Sequence, residues 1–150
     1  MTFDVAVGQI TVPALTGQQS YVADPAFTGK AILFFGSVNT ASGTGASYHL
    51  HVGMAVSSSQ RVSVCATSQD AQGASVADVR HDNTKCVSLQ AVNGGAVAFA
   101  ADFVQFETDG FTLDWTTANA TAFSMTYIIL GGNHLSNAAI AEILYLADQT

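Results

Sequence analysis

Residues 102–115 read DFVQFETDGFTLDW, and this stretch limits what the chain can fold into more than any other. Asp109-Gly110 is a two-residue turn signal of the kind that closes a tight hairpin. Folding there sets Thr108 opposite Phe111, Phe106 opposite Leu113 and Val104 opposite Trp115. Side chains alternate along a strand, so these six share one face. Gln105, Glu107, Thr112, Asp114 and Thr116 share the other, with Phe103 the apolar exception. A slip of one residue would exchange the two faces, so the pattern specifies its own register. The expectation is a pair of core strands with Trp115 on the buried side and a thin polar face outside.

The rest of the chain supports an all-β domain. Residues 3–12 alternate and stop at Pro13, which suits an edge or terminal strand. AILFF (31–35) is a short apolar run of strand length. Residues 48–56 alternate, with Tyr48, Leu50, Val52 and Met54 on one side and His49 and His51 on the other. Residues 61–66 and 86–91 are further strands, residues 96–107 lead into the hairpin, and 122–130 place Phe123, Met125, Tyr127 and Ile129 on one face. Residues 14–21, 37–47 and 67–79 are small, polar and turn-rich, and are expected to be loops. About eight short strands with turn signals between them, and no alternating βαβ pattern, predict an antiparallel β-sandwich or jelly roll. At 150 residues a single domain spanning 1–150 is expected. Its C-terminal segment, 133–150, has two readings. Ser136 caps a helix over 137–147 with Ile140, Ile143 and Leu144 at helical spacing, or AIAEI (139–143) echoes AVGQI (6–10) as an edge strand.

Charge excludes some functions. The net charge is −7, and Lys30, Arg61, Arg80 and Lys85 are the four basic residues. Binding nucleic acid takes several phosphate-neutralising Lys or Arg on one surface, and anionic membrane needs the same, so neither partner is expected. No run reaches 18 apolar residues, and MTFDVAVGQITV lacks the basic start and long apolar core of a signal peptide. Only 10% of residues are charged, against roughly 25% in an average domain. Two readings of that deficit stand side by side: a surface partly covered by other subunits, or a Ser/Thr-coated sandwich kept soluble by its negative charge. Cys65 and Cys86 lie in apolar runs and are expected as reduced core thiols.

Chemistry-bearing constellations are few. His49 and His51 form an H-x-H pair whose imidazoles point the same way on a strand and can reach one metal. His81 or Asp82 would have to complete the ligand set, and a polar strand face is the simpler account, so no metal or other cofactor is expected. Arg80-His81-Asp82 holds the residue types of an acid/base site without a nucleophile elbow. Glu107 and Asp109 sit at a hairpin tip without a cleft. No catalytic residue is predicted, and the chain is not expected to be an enzyme. Arg80, Asp82 and Lys85 are expected to order their own loop, with an acidic partner among Asp78, Asp82 and Asp102. Asn39, Ser42 and Thr44 in one loop, Arg80, His81 and Asp82 in the polar cluster, and Tyr145 near the C-terminus are the residues placed to meet a partner.

NTASGTGA (39–46), RHDNTKC (80–86), ADFVQFETDGFTLDW (101–115) and YIILGG (127–132), taken together, resemble a β-sandwich domain of tailed-bacteriophage structural proteins. The resemblance runs from about residue 5 to residue 132, and its motifs are turns and a hairpin, none of them catalytic. It implies a virion component, made in the bacterial cytoplasm and carried on the particle surface. Related domains occur in tandem in fibre-like proteins, whereas this chain holds one copy. A single small copy suits a head decoration (cement) protein, a homotrimer binding between subunits of the major capsid protein. The alternative is a tail-fibre module that recognises host glycan through loops 37–47 and 67–85.

Overall fold

The computed structural model describes residues 4–23, 27–37, 47–69, 76–90, 95–120, 123–132 and 135. They form ten strands: β1 (Asp4–Thr11), β2 (Gly17–Val22), β3 (Gly29–Gly36), β4 (Ser47–Ser57), β5 (Gln60–Gln69), β6 (Val76–Asp82), β7 (Val87–Gln90), β8 (Val97–Phe106), β9 (Gly110–Thr117) and β10 (Ser124–Gly131). All pairings are antiparallel. They build a six-stranded sheet, β1-β10-β3-β4-β5-β6, and a four-stranded sheet, β2-β9-β8-β7. The fold is the expected all-β sandwich, with two more strands than the sequence suggested.

The core lies between the sheets. From the large sheet come Ile10, Ile32, Phe34, Met125, Tyr127 and Ile129; from the small one Phe103, Phe111, Leu113 and Trp115, all at most 5% exposed. Phe111 is the junction: its ring meets Phe34 edge-on at 5.8 Å and Tyr127 at 5.1 Å, both across the sandwich. The inward set of Phe123, just before β10, and Met125, Tyr127 and Ile129 on it is the one its alternation predicted. Cys65 and Cys86 are buried and free, as expected.

The hairpin forms where predicted, in a different register. Phe106 pairs with Phe111, Phe103 with Leu113 and Ala101 with Trp115. The connection is wider than two residues, and Glu107 N–H closes it on the carbonyl of Gly110 at 2.9 Å. Gly110 is not in the left-handed region a tight Asp-Gly turn requires. It is glycine because a Cβ there would run into the carbonyl oxygen of Tyr21 on the neighbouring β2. Val104 is left over as a bulge between Phe103 and Gln105. That extra residue resets the alternation, so Phe103 is a core residue, 2% exposed, and still lies 4.7 Å from the Phe106 ring. Trp115 is buried as expected, and Gln105 faces solvent.

Strands β2 and β6 fall in stretches read as loops. β2 (GQQSYV) is almost entirely exposed apart from Tyr21, and β6 is the edge of the large sheet. Edge strands pair on one side only, so they need no apolar face and carry little period-2 signal.

Candidate functional site

The histidine pair lies on β4, on the side opposite to that expected. His49 and His51 point into the sandwich, where His51 is completely buried; Tyr48 and Leu50 point out and are 55% and 43% exposed. The reason is spatial. The inward positions of β4 and β5 are small or polar (His51, Gly53, Ala55, Ser63, Cys65 and Thr67), and β7 packs close against them. A Cβ on Gly53 would strike the carbonyl oxygen of Cys86. Beside the His51 ring there is no room for further large side chains, so Tyr48, Leu50, Val52 and Met54 take the outer face.

Edge strand β7 has backbone groups that no strand satisfies. Ser88 N–H turns from β8 and donates to Nε2 of His51 at 3.3 Å. An accepting Nε2 places the imidazole proton on Nδ1, and that atom is buried without a partner. Burial pushes the His51 pKa down to about 4, so the ring is neutral near pH 7. Ser63 Oγ, Gln90 Oε1 and His49 Nδ1 are likewise buried and unpartnered. Across the strand pair, Cys65 stands opposite His51, and burial raises its thiol pKa. This seam is a scaffold for β7: its acceptor is the imidazole and its thiols are held protonated.

His81 and Asp82, the third-ligand candidates, do not join the histidine pair. Alternation along β6 sends His81 outward and leaves it exposed, while Arg80 and Asp82 turn the other way. Among the described residues, no group of three or more His, Cys, Asp or Glu is placed to hold a metal. The same alternation separates His81 from Arg80 and Asp82, so the three do not form one constellation.

Arg80, Asp82 and Lys85 order their own region, as expected. Arg80 Nη2 bonds Asp82 Oδ2 at 3.2 Å and Arg80 Nε donates to Ser88 Oγ at 3.1 Å. Asp82 Oδ1 accepts from the Thr84 backbone N–H at 2.9 Å and hydroxyl at 2.8 Å. These partners hold the Asp82 carboxyl below its ordinary pKa against the opposing effect of burial, which is the largest single influence. Asp102 then binds two cations, Lys85 Nζ at 2.7 Å and Arg61 Nε at 2.9 Å. Arg61 also donates to the carbonyls of Thr84 and Ser58. Three of the chain's four basic side chains are therefore tied into one knot at the rim of the sandwich. Asn39, Ser42, Thr44 and Tyr145 lie outside the described residues, as does the C-terminal stretch with its two readings.

The feature that sequence reasoning missed is the outer face of the six-stranded sheet. The cross-strand row Val7–Ile128–Leu33–Met54–Val62 spans β1 to β5. A second row runs Gln9–Thr126–Phe35–Val52–Val64–His81, polar at both ends; a third is Leu50–Ala66–Val79 and a fourth Tyr48–Ser68–Ala77. Val7 is 66% exposed and Val79 69%. No Asp, Glu, Lys or Arg occupies these rows; Lys30 stands at the margin, beside the irregularity at Gly131. The outer face of the small sheet is the reverse: Ser20 and Thr112 share a 2.8 Å hydrogen bond, Glu107 accepts from Gln105 and Thr112, and Asp102 and Asp114 face each other in register. The alternation of 48–54 held the signal, but hydrophobicity alone assigned it to the wrong side.

Compared with known proteins, the chain matches no family model, no curated protein and no solved structure.

Proposed function

We propose that this chain is a virion structural protein that works by binding alone, as a capsid decoration (cement) protein contacting the major capsid protein and copies of itself. The observation that carries this reading is the contrast between the two outer faces. One is polar and suited to water. The other carries no charged side chain in its cross-strand rows and is apolar through its middle, from Val7 on β1 to Val79 on β6, with Gln9, Thr126, Ser68 and His81 around that band, a composition found at protein contacts. The described polar side chains that cluster, the His51 seam and the Asp102 knot, are engaged in holding the frame together. The resemblance to tailed-phage structural domains supplies the setting. In that role, the subunit adds buried area across capsomer joints and so resists pressure from within.

Copy number tests the reading. Particles carrying hundreds of copies, with purified protein rebinding to capsids stripped of it, are the expected result. A handful of copies, with antibody label at the tail tip and saturable glycan binding, would replace decoration by the receptor-binding alternative.

A further inference from the structure

We propose that the outer face of the six-stranded sheet is a self-association surface, on which a second copy of this chain docks across a two-fold axis. Extent comes first. Six strands about 4.8 Å apart, each about eight residues long at about 3.4 Å, give a face about 24 Å by about 27 Å. That footprint of about 650 Å² approaches the about 800 Å² per partner of a standard stable interface. Val5, Val7, Tyr48, Leu50, Val64 and Val79 are all exposed on it, distributed from β1 at one edge to β6 at the other.

Charge selects the occupant. The chain carries a net charge of −7, so two copies repel unless they meet where the carboxylates are absent. Contact through the small sheet would oppose Glu107 and Asp114 to their own counterparts. Contact through the large sheet brings no carboxylate against another, because its outward rows hold none. Chemical complementarity is also known for this partner: the face that docks and the face that receives are the same apolar surface. A single self-complementary patch produces a closed two-fold pair, whereas a three-fold ring needs two different patches that match. The pairing therefore specifies a dimer in place of the expected trimer. It draws on the same face as the decoration reading but needs no virion role, and sedimentation of the isolated chain tests it without reference to capsid binding.

Analytical ultracentrifugation of the full chain at micromolar concentration tests it. The expected result is a species of twice 15.5 kDa. Val7→Lys and Val64→Lys each place a charge in the contact and are expected to weaken dimerisation by about tenfold or more, each tenfold corresponding to about 1.4 kcal/mol. Both side chains already face solvent, and the emission of buried Trp115 reports that the fold is kept. Gln105→Lys, on the polar face, is expected to leave the dimer unchanged. A monomer, a trimer, a dimer indifferent to both valine substitutions, or one dissociated by Gln105→Lys would overturn the proposal.

Discussion

The backbone N–H of Ser88 donates to Nε2 of His51 at 3.3 Å, joining the free edge of the small sheet to the interior of the large one. Both residues are at most 1% exposed. An edge strand normally gives its outward N–H groups to water; here β7 is covered, and an imidazole takes water's place. The bond requires an unprotonated Nε2, so the junction of the two sheets is tied to pH.

His51 has a folded-state pKa of about 4 against an ordinary 6.5. The unfolded chain takes up the proton first, so stability is full above about pH 6.5 and falls as pH drops towards 4. The loss amounts to about 3 kcal/mol across that window and levels off below it. Urea unfolding at a series of pH values measures it. His51→Gln keeps an acceptor of similar reach without a titrating ring, and is expected to flatten the curve between pH 6.5 and 4. An equally steep curve in this variant would assign the pH dependence to other groups.

Gly53 touches the backbone of β7 so closely that an added methyl group overlaps the carbonyl oxygen of Cys86. Backbone on both sides cannot swing away as a side chain does. Gly53→Ala is therefore expected to destabilise by roughly 2–4 kcal/mol, at the upper end of overpacking costs. The denaturation midpoint reads this directly. A change under about 0.5 kcal/mol, the range of ordinary surface substitutions, would mean that β7 is not held against β4.

Much of this architecture was legible from residue order, for identifiable reasons. Met125, Tyr127 and Ile129 alternate on β10, a central strand flanked by β1 and β3, and Phe123 just before it continues the pattern, because burial of one face imposes a clean period of two. Trp115 was placed correctly despite a wrong register, because its own alternation with Phe111 and Leu113 lies beyond the bulge at Val104. The orientation of β4 was not legible. Its apolar side faces out and its His-Gly-Ala side faces in, since β7 packs so close that Gly53 touches the Cys86 carbonyl and the His51 ring takes the remaining space. That constraint is tertiary: it depends on Cys86, more than thirty residues away. The missed strands, β2 and β6, are sheet edges whose residues answer to neighbours on one side alone. For the histidine pair, spacing was informative about direction and silent about which face was buried.

Trp115 Nε1 donates to the Tyr21 hydroxyl at 2.8 Å, and the Tyr21 ring stacks on Phe111 at 5.3 Å. The exposed strand β2 is thereby fastened to the core through one aromatic side chain. Tyr21→Phe keeps the stacking and removes only the hydroxyl, leaving a buried indole N–H without an acceptor. The expected cost is about 1–2 kcal/mol, accompanied by a blue shift in Trp115 emission as the indole loses its polar partner. Tyr21→Phe with wild-type stability and wild-type emission would show that this bond does not form in solution.

Asp102 on β8 receives Arg61 from β5 and Lys85 from the β6–β7 connection, so one carboxylate links the two sheets. All three side chains are between 19% and 25% exposed, which places the pairs between the weak surface case and the fully buried one. Asp102→Asn retains an acceptor oxygen and removes the charge, leaving two cations near each other with their counter-ion gone. A loss of about 2 kcal/mol is expected. Arg61 keeps the Thr84 and Ser58 carbonyls, whereas Lys85 is left without its carboxylate. Lys85→Met should therefore be tolerated better in the Asp102→Asn background than in the wild-type chain. Unfolding free energies for the two single variants and the double variant give this coupling, expected at about 1 kcal/mol and reduced at high salt because the knot is partly solvated. Strict additivity of the two substitutions would show that Asp102 and Lys85 are not coupled in solution.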